Sequence, residues 1–167
     1  HISNGTVMVV EKFYDTPISM IPVHPSAMEI YSYKLLHGPD FALVTYSAKH
    51  CFDFIKGFQH LQGLSAHEDL PSLLKKLMAE IEQVIDKPQF KIIEKCIKSE
   101  QLTKSQLLDF AHFIRYRFKH NMMSLVIMYA QIDAWYGMAK AVQKFGLVFP
   151  EFVQHDEPVI AAKGLYH

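Results

Sequence analysis

Several features that mark other protein classes are scarce in this sequence. The 167 residues include only two cysteines, Cys51 and Cys96, which show no CxxC or other ligand spacing. There is no run of about 18 uncharged apolar residues, so no membrane-spanning helix is expected. A basic start followed by an apolar run is also missing, so no secretory signal is expected. We therefore expect a cytoplasmic protein with buried, reduced thiols, with a disulfide as the alternative.

An excess of charge of one sign is also absent. Lys plus Arg and Asp plus Glu number 17 each, so the total charge makes no case for binding nucleic acid or a membrane. Half of the residues are apolar and 20% are charged, which is typical of a globular protein with a core. The chain begins at His1 without an initiator methionine, which suggests a fragment of a longer protein.

Motifs for catalysis and for cofactors are missing as well. The seven glycines form no phosphate loop and no GxGxxG pattern, and no GxSxG elbow occurs. The ten histidines are scattered without an HxxxH pair. Asp109 and His112 could meet across one helical turn, as a surface pair does. We predict no catalytic residue, metal site or cofactor within this chain; a helical-bundle metalloenzyme is kept as an alternative class.

Helical periodicity dominates from residue 26 onward. Ser26-x-x-Glu29 and Thr103-x-x-Gln106 have the form of capping boxes. An apolar seam with alternating steps of three and four predicts a helix of about 20 residues. Its members are Phe41, Val44, Ala48, Cys51, Ile55 and Phe58, and Phe52 and Phe54 widen it. Gly57, inside this helix, predicts a close contact at that position.

A second seam predicts the longest helix. From Leu107 to Val142 one apolar face persists for about 40 residues, a rod near 60 Å long unless a kink around His120–Asn121 shortens it. Residues 125–130 are apolar on nearly every side and predict an inner wall of the bundle. Before residue 26, the runs Thr6–Val10 and Ile18–Val23 are rich in β-branched residues and predict short strands or extended chain.

The predicted fold is predominantly all-α. It is an elongated antiparallel helical bundle with long lever helices and small irregular or β segments at each terminus. We divide the chain into an extended segment at 1–25, a helical core or lever domain at 26–146 with a short helical insert at 62–102, and a connector at 147–167. This last segment contains prolines and one short apolar run, and we expect it to lead into a further domain.

Basic side chains cluster in the second half of the chain. Between Asp86 and His120 there are eight Lys or Arg residues and four acidic ones. In the run from Arg115 to His120 the basic residues alternate with aromatic ones, which suits contact with phosphates. The candidate phosphate contacts are Lys91, Lys95, Arg115, Arg117 and Lys119. An ordinary solvated helix face is the alternative, and no motif here reads base edges.

The end of the chain resembles the MutS family of DNA mismatch-repair ATPases. The residues that carry the resemblance are Ile132-Asp133-Ala134 and Ala139 on a helix, Phe149-Pro150-Glu151-Phe152 in a loop, an apolar run at Pro158-Val159-Ile160, and Gly164-Leu165-Tyr166-His167. In that family this succession closes the core or lever domain and opens the ATPase domain. Residues 46–61 resemble, more weakly, the core helix that leaves toward the family's clamp domain.

The resemblance implies a lever that couples an ATPase domain of the same chain to double-stranded DNA. ATP and Mg would bind that other domain, and the parent protein would be a homodimer. The residues expected to couple the lever to the ATPase domain are Ile132, Trp135, Tyr136, Ala139 and His167; ordinary core packing is the alternative for them. Relatives that recognise mismatches carry a clamp domain of about a hundred residues between the two lever helices. In this chain only residues 62–102 lie between them, which puts mismatch recognition in doubt. A helical interaction or dimerisation module without a role on DNA is the competing class.

Overall fold

The computed structural model describes residues 2–63, 70–90, 102–154 and 157–164. Within these ranges it contains six α-helices and no strand, which confirms the predominantly all-α fold. The helices are α1 (Asn4–Asp15), α2 (Ala27–Leu36), α3 (Gly38–Gln62), α4 (Ser72–Ile85), α5 (Lys104–His112) and α6 (Lys119–Phe145). A 3₁₀ turn covers Pro88–Phe90, and a π-helical segment, Phe113–Arg117, joins α5 to α6.

Helix α1 corrects the prediction of an extended or β-rich segment at residues 1–25. Ser3 caps it, because its side chain accepts from the backbone N–H of Thr6 at 3.1 Å. Val10, Phe13 and Tyr14 then lie buried at helical spacing, and α1 packs on α3. Burial of this face outweighs the small helix penalty of the β-branched residues. The run Ile18–Val23 is non-helical chain without strand pairing, which agrees with the prediction of extended chain there.

Helices α2 and α3 follow each other almost without a gap. The predicted capping box forms: Ser26 N–H donates to the Glu29 carboxylate at 2.7 Å, and Glu29 N–H donates to the Ser26 hydroxyl at 3.3 Å. Helix α2 ends at Leu36 with His37 as its C-cap, and Gly38 and Pro39 begin α3. Proline suits that position because the first N–H groups of a helix have no partner within it.

The predicted seam of α3 forms the centre of the core. Five of its six members are fully buried, and Phe54 joins them, while Phe41 and Phe52 are half-buried. The fully buried members are Val44, Ala48, Cys51, Ile55 and Phe58. The described part of the insert adds α4, which packs against α3 and buries Leu77, Met78, Ile81 and Ile85.

The long predicted helix is interrupted. In the π-helical segment the N–H of Phe118 donates to the carbonyl of Phe113 at 3.1 Å, five residues earlier, and α6 begins at Lys119. In a continuous α-helix two residues five apart would point about 140° away from each other. The π turn instead brings Phe113 and Phe118 together, with ring centroids 5.4 Å apart, and both rings contact Phe90. The break therefore lies a few residues before the kink considered at His120–Asn121.

The first half of α6 is only partly the predicted inner wall. Leu125 is fully buried and Val126 nearly so, but Ile127 is 68% exposed, so residues 125–130 are not enclosed on every side. The Tyr129 hydroxyl donates to the carbonyl of Ile2 at 2.9 Å, and its ring meets Phe54. No helix in the described ranges combines the length and the apolar character needed to cross a bilayer.

The chain divides into two compact units, residues 1–132 and 133–167. In the second unit α6 continues to Phe145 and ends at Gly146, whose φ of +63° is the left-handed conformation of a helix C-cap. The described residues after it, 147–154 and 157–164, are non-helical and exposed.

The close contact predicted at Gly57 is made by a side chain. Ile2 is 7% exposed and lies directly on this glycine, so a Cβ added at residue 57 would stand 2.8 Å from Ile2 Cδ1 and closer still to Cγ1. A Cβ added at Gly137 in α6 would meet nothing within 4 Å. The two helical glycines therefore respond differently to the same substitution.

We predict that Gly57→Ala lowers the free energy of unfolding by about 1–3 kcal/mol, because the clash with Ile2 exceeds the gain in helix propensity. Gly137→Ala, the matched control, should raise it by up to about 1 kcal/mol. Urea denaturation measures both. In the double variant Ile2→Ala/Gly57→Ala the loss of unfolding free energy should be smaller than the sum of the losses in the two single variants, since truncating Ile2 removes the clash. Equal stabilisation by both glycine substitutions would contradict this packing.

Candidate functional site: the basic π-helical segment

The basic and aromatic run that was predicted to contact phosphate lies in the π-helical segment and the first turn of α6. Its three arginine and lysine side chains have different environments. Arg115 is half-buried, whereas Arg117 and Lys119 are exposed. Lys91 and Lys95, the other predicted phosphate contacts, lie outside the described residues. The run is therefore not one uniform basic face.

Arg115 is bound to the carboxyl end of α1. Its guanidinium donates to the carbonyl oxygen of Phe13, and to that of Thr16 at 2.8 Å. It also lies over the Phe13 ring, 5.2 Å from the centroid. The last carbonyls of a helix have no partner within it and carry a partial negative charge, which a cation stabilises. Arg115 thus caps α1, and its charge is already used within the fold.

A second hydrogen bond joins the same two elements in the opposite direction. The buried Tyr14 hydroxyl, on α1, donates to the Ile114 carbonyl of the π-helical segment at 3.0 Å. Burial, with a further contribution from Cys51, raises the pKa of Tyr14 above its ordinary value, against the smaller opposing effect of Arg115. We call Tyr14, Ile114, Arg115 and the carbonyls of Phe13 and Thr16 the α1 latch. It fixes the π-helical segment from two sides.

Arg117 lines a cleft of about 420 Å³ on the first unit. We call it the His24 cleft; it is lined by Val23, His24, Pro88, Gln106, Asp109, Phe110, His112, Phe113 and Arg117. Burial, followed by the charge of Arg117, holds the pKa of His112 below its ordinary value, against a smaller opposing effect of Asp109. At neutral pH the cleft therefore contains a neutral imidazole beside a guanidinium.

Sequence reasoning missed the partner of Asp109. The spacing allowed a pair with His112, but both carboxylate oxygens bind His24, 85 residues earlier: one accepts from its backbone N–H, and the other lies 3.0 Å from its Nδ1. His24 has a φ of +46°, a left-handed conformation that is uncommon for any residue other than glycine. No local pattern could have indicated a contact over that separation.

The residues predicted to couple the chain to an ATPase domain lie on α6. Ile132 and Trp135 are half-buried, Tyr136 is 62% exposed, and Ala139 is exposed. Ile132 ends the first unit and the other three belong to the second. His167 lies outside the described residues. These side chains are thus largely available at the surface of their own units.

Exposed apolar residues continue beyond α6. Phe149 is 74% exposed, and Phe152 and Ile160 are each 97% exposed. Exposed apolar side chains concentrated in one segment are characteristic of surfaces that contact another body. Among the described residues, no group of three His, Cys, Asp or Glu side chains lies close enough together to hold a metal ion.

The α1 latch predicts opposite outcomes for two neighbouring arginines. Arg115→Gln should lower the free energy of unfolding by about 1.5–3 kcal/mol, because charged hydrogen bonds to two helix-end carbonyls are lost. Arg117→Gln should change it by no more than about 0.5 kcal/mol, since this side chain is exposed. Urea denaturation followed by circular dichroism compares them. Similar losses for the two variants would contradict the different environments described here.

The latch also predicts a loss of stability at alkaline pH. Because the pKa of Tyr14 is higher in the folded than in the unfolded chain, its stabilising contribution is complete below the ordinary value of 10.0 and falls as pH rises above it. Burial likewise raises the pKa of Cys51 to about 12. Tyr14→Phe should reduce the slope of unfolding free energy against pH between 10 and 11 by up to about 1.4 kcal/mol per pH unit. Tyr136→Phe, at an exposed position, should keep the wild-type slope; an unchanged slope in Tyr14→Phe would refute the assignment.

Comparison with known proteins does not assign the chain to a family. It matches no family model, no curated protein and no solved structure.

Proposed function

We propose that this chain is the core, or lever, domain of a MutS-like DNA mismatch-repair ATPase. In this proposal it joins an ATP-binding domain of the same polypeptide to contact with the backbone of double-stranded DNA. The chain itself performs no catalysis; ATP and Mg bind the other domain, the parent protein is a cytoplasmic homodimer, and mismatch recognition is not part of the proposal.

The observation that carries the proposal is the exposed apolar segment after α6. Phe149, Phe152 and Ile160 lie in the loop and the apolar run on which the resemblance rests, and each is at least 74% exposed. A segment that ended a self-contained fold would bury such side chains, since each large side chain left in water forgoes about 1.5–3 kcal/mol. Packing against a further domain accounts for them.

The mechanical part of the proposal rests on helix α6. Its 27 residues form one continuous helix, about 40 Å long, whose exposed Tyr136 and Ala139 are the proposed contacts for the ATPase domain. Packed helices occupy discrete arrangements rather than deforming continuously, so a nucleotide-driven shift at one end of a stiff helix reaches its other end. The π-helical segment lies where α6 begins.

The DNA-contacting part of the proposal is carried by Arg117 and Lys119. Both side chains are exposed, and Lys119 Nζ lies 5.7 Å from the centroid of the Tyr14 ring. Arg115 is not proposed as a phosphate contact, because its guanidinium is bound to α1. The contact is to phosphate and is independent of base sequence.

A second candidate, a helical interaction module without a role on DNA, is favoured by the surface of α2. Met28, Tyr31 and Leu35 are spaced three and four residues apart along one face, and they are 81%, 68% and 70% exposed. Such a stripe suits packing against another helix. The two candidates differ in the sequence they require beyond residue 167 of the full-length protein: a GxxxxGK[ST] loop there supports the first, and its absence favours the second.

Fluorescence anisotropy with a labelled DNA duplex at low salt tests the proposal. We predict weak binding that does not depend on sequence and that Arg117→Glu/Lys119→Glu weakens strongly, with a salt slope smaller by about two. Lys34→Glu/Lys76→Glu changes the net charge equally at exposed positions outside the basic stretch and should retain binding. Absence of binding at low salt, or equal losses in the two variants, would remove the DNA contact from the proposal.

A further inference from the structure

The His24 cleft has the construction of a binding site for a small ligand. It shares Arg117 with the proposed contact with duplex DNA, but its other lining residues take no part in that contact. Its volume of about 420 Å³ falls within the usual range for ligand pockets, roughly 300–1,000 Å³. The described residues that line it all belong to the first unit. Phe110, Phe113 and Pro88 supply apolar surface, and the polar groups come from different parts of the chain. A mostly apolar concavity with a few converging polar groups is typical of organic ligands.

The backbone at His24 is held in an unfavourable conformation at the edge of this cleft. A left-handed φ costs roughly 1–2 kcal/mol in a residue with a Cβ. The two hydrogen bonds that Asp109 accepts from His24 hold it in place. Because a carboxylate only accepts hydrogen bonds, the Nδ1 facing it carries the proton. The ring is thereby fixed in orientation while 84% of the side chain remains exposed. Strain of this kind is found preferentially at ligand-binding sites.

The charges of the cleft favour an anion. Both oxygens of Asp109 are used by His24, so this carboxylate is already compensated by donors. Within the described part of the chain Arg117 forms no salt bridge, and its guanidinium is exposed. Its charge is felt inside the cleft: at His112 its effect on the pKa is larger than the opposing effect of the Asp109 carboxylate. A guanidinium offers a planar pair of donors that matches a carboxylate or a phosphate.

We propose that the His24 cleft binds a small aromatic anion, with Arg117 pairing with its phosphate or carboxylate and the walls at Phe110 and Phe113 covering its ring. The site goes beyond the proposed lever function and does not depend on it. Phosphate and carboxylate share the chemistry that Arg117 recognises, so the experiment separates them.

Titration followed by two-dimensional amide NMR tests the site, with phenyl phosphate, benzoate, phenol and inorganic phosphate as probes. We expect saturable shifts at His24, Phe113 and Arg117 with phenyl phosphate or benzoate, and weaker binding of phenol and inorganic phosphate, which each lack one half of the recognised chemistry. Tighter binding of phenyl phosphate assigns the ligand as a phosphate, and tighter binding of benzoate assigns it as a carboxylate. Phenol binding as tightly as either anion, or shifts scattered over all basic side chains, would overturn the proposal.

Three variants locate the binding. Arg117→Gln should weaken the better anion by about tenfold, the loss expected for one charged hydrogen-bonding group. Val23→Glu places a negative charge on a residue that is 52% exposed at the cleft, and should weaken binding at least as much without disturbing the core. Lys104→Gln, at an exposed position that does not line the cleft, should leave the affinity unchanged. Wild-type affinity in both cleft variants would refute the site, whatever the outcome of the DNA experiment.

Discussion

The arrangement of the first unit depends on how the end of α1 is joined to the π-helical segment. A helix end carries carbonyl groups that have no partner within the helix, and a π turn is a rare and less favourable hydrogen-bonding pattern. In this protein each of the two elements donates hydrogen bonds to free carbonyl groups of the other. Arg115 satisfies carbonyls at the end of α1, and Tyr14 satisfies the carbonyl of Ile114. The direction in which α6 leaves is therefore set by contacts from the opposite end of the sequence.

This constraint separates two kinds of basic residue that look alike in the sequence. Arg115 and Arg117 are two positions apart, but one holds the fold together and the other faces the His24 cleft and solvent. The number of basic residues in a sequence cluster is therefore the largest number of side chains that an anionic partner could contact. Arginines whose guanidinium groups already bind helix carbonyls are not available to DNA or to any other anion.

Sequence reasoning succeeded where the determinant is local. The capping boxes at Ser26 and Thr103 and the seam of α3 depend on spacings within one helix, and the structure confirms them. It failed at α1, where the β-branched residues indicated strands but burial against α3 decided the conformation. The interruption of the long helix packs against Phe90, which lies outside that helix. The contact between His24 and Asp109 spans 85 positions. Neither contact has a local signature in the sequence. The resemblance to MutS proteins is not tested by these observations and stays a prediction.

The π-helical segment determines how this chain tolerates change in length. A π turn holds one more residue than the α-helical turn that it replaces, because its hydrogen bonds span five residues instead of four. Deleting one residue between Phe113 and Arg117 would place Phe113 and Phe118 four positions apart, which a regular α-helix keeps within about 40° of the same face, so α5 and α6 could merge without turning the side chains that follow. Met122 and Leu125 would stay on the buried face of α6. The same deletion inside the regular part of α6 would turn every later side chain by about 100° around the axis. The π-helical segment is therefore the place where this helix can lose a residue and keep its lateral surface.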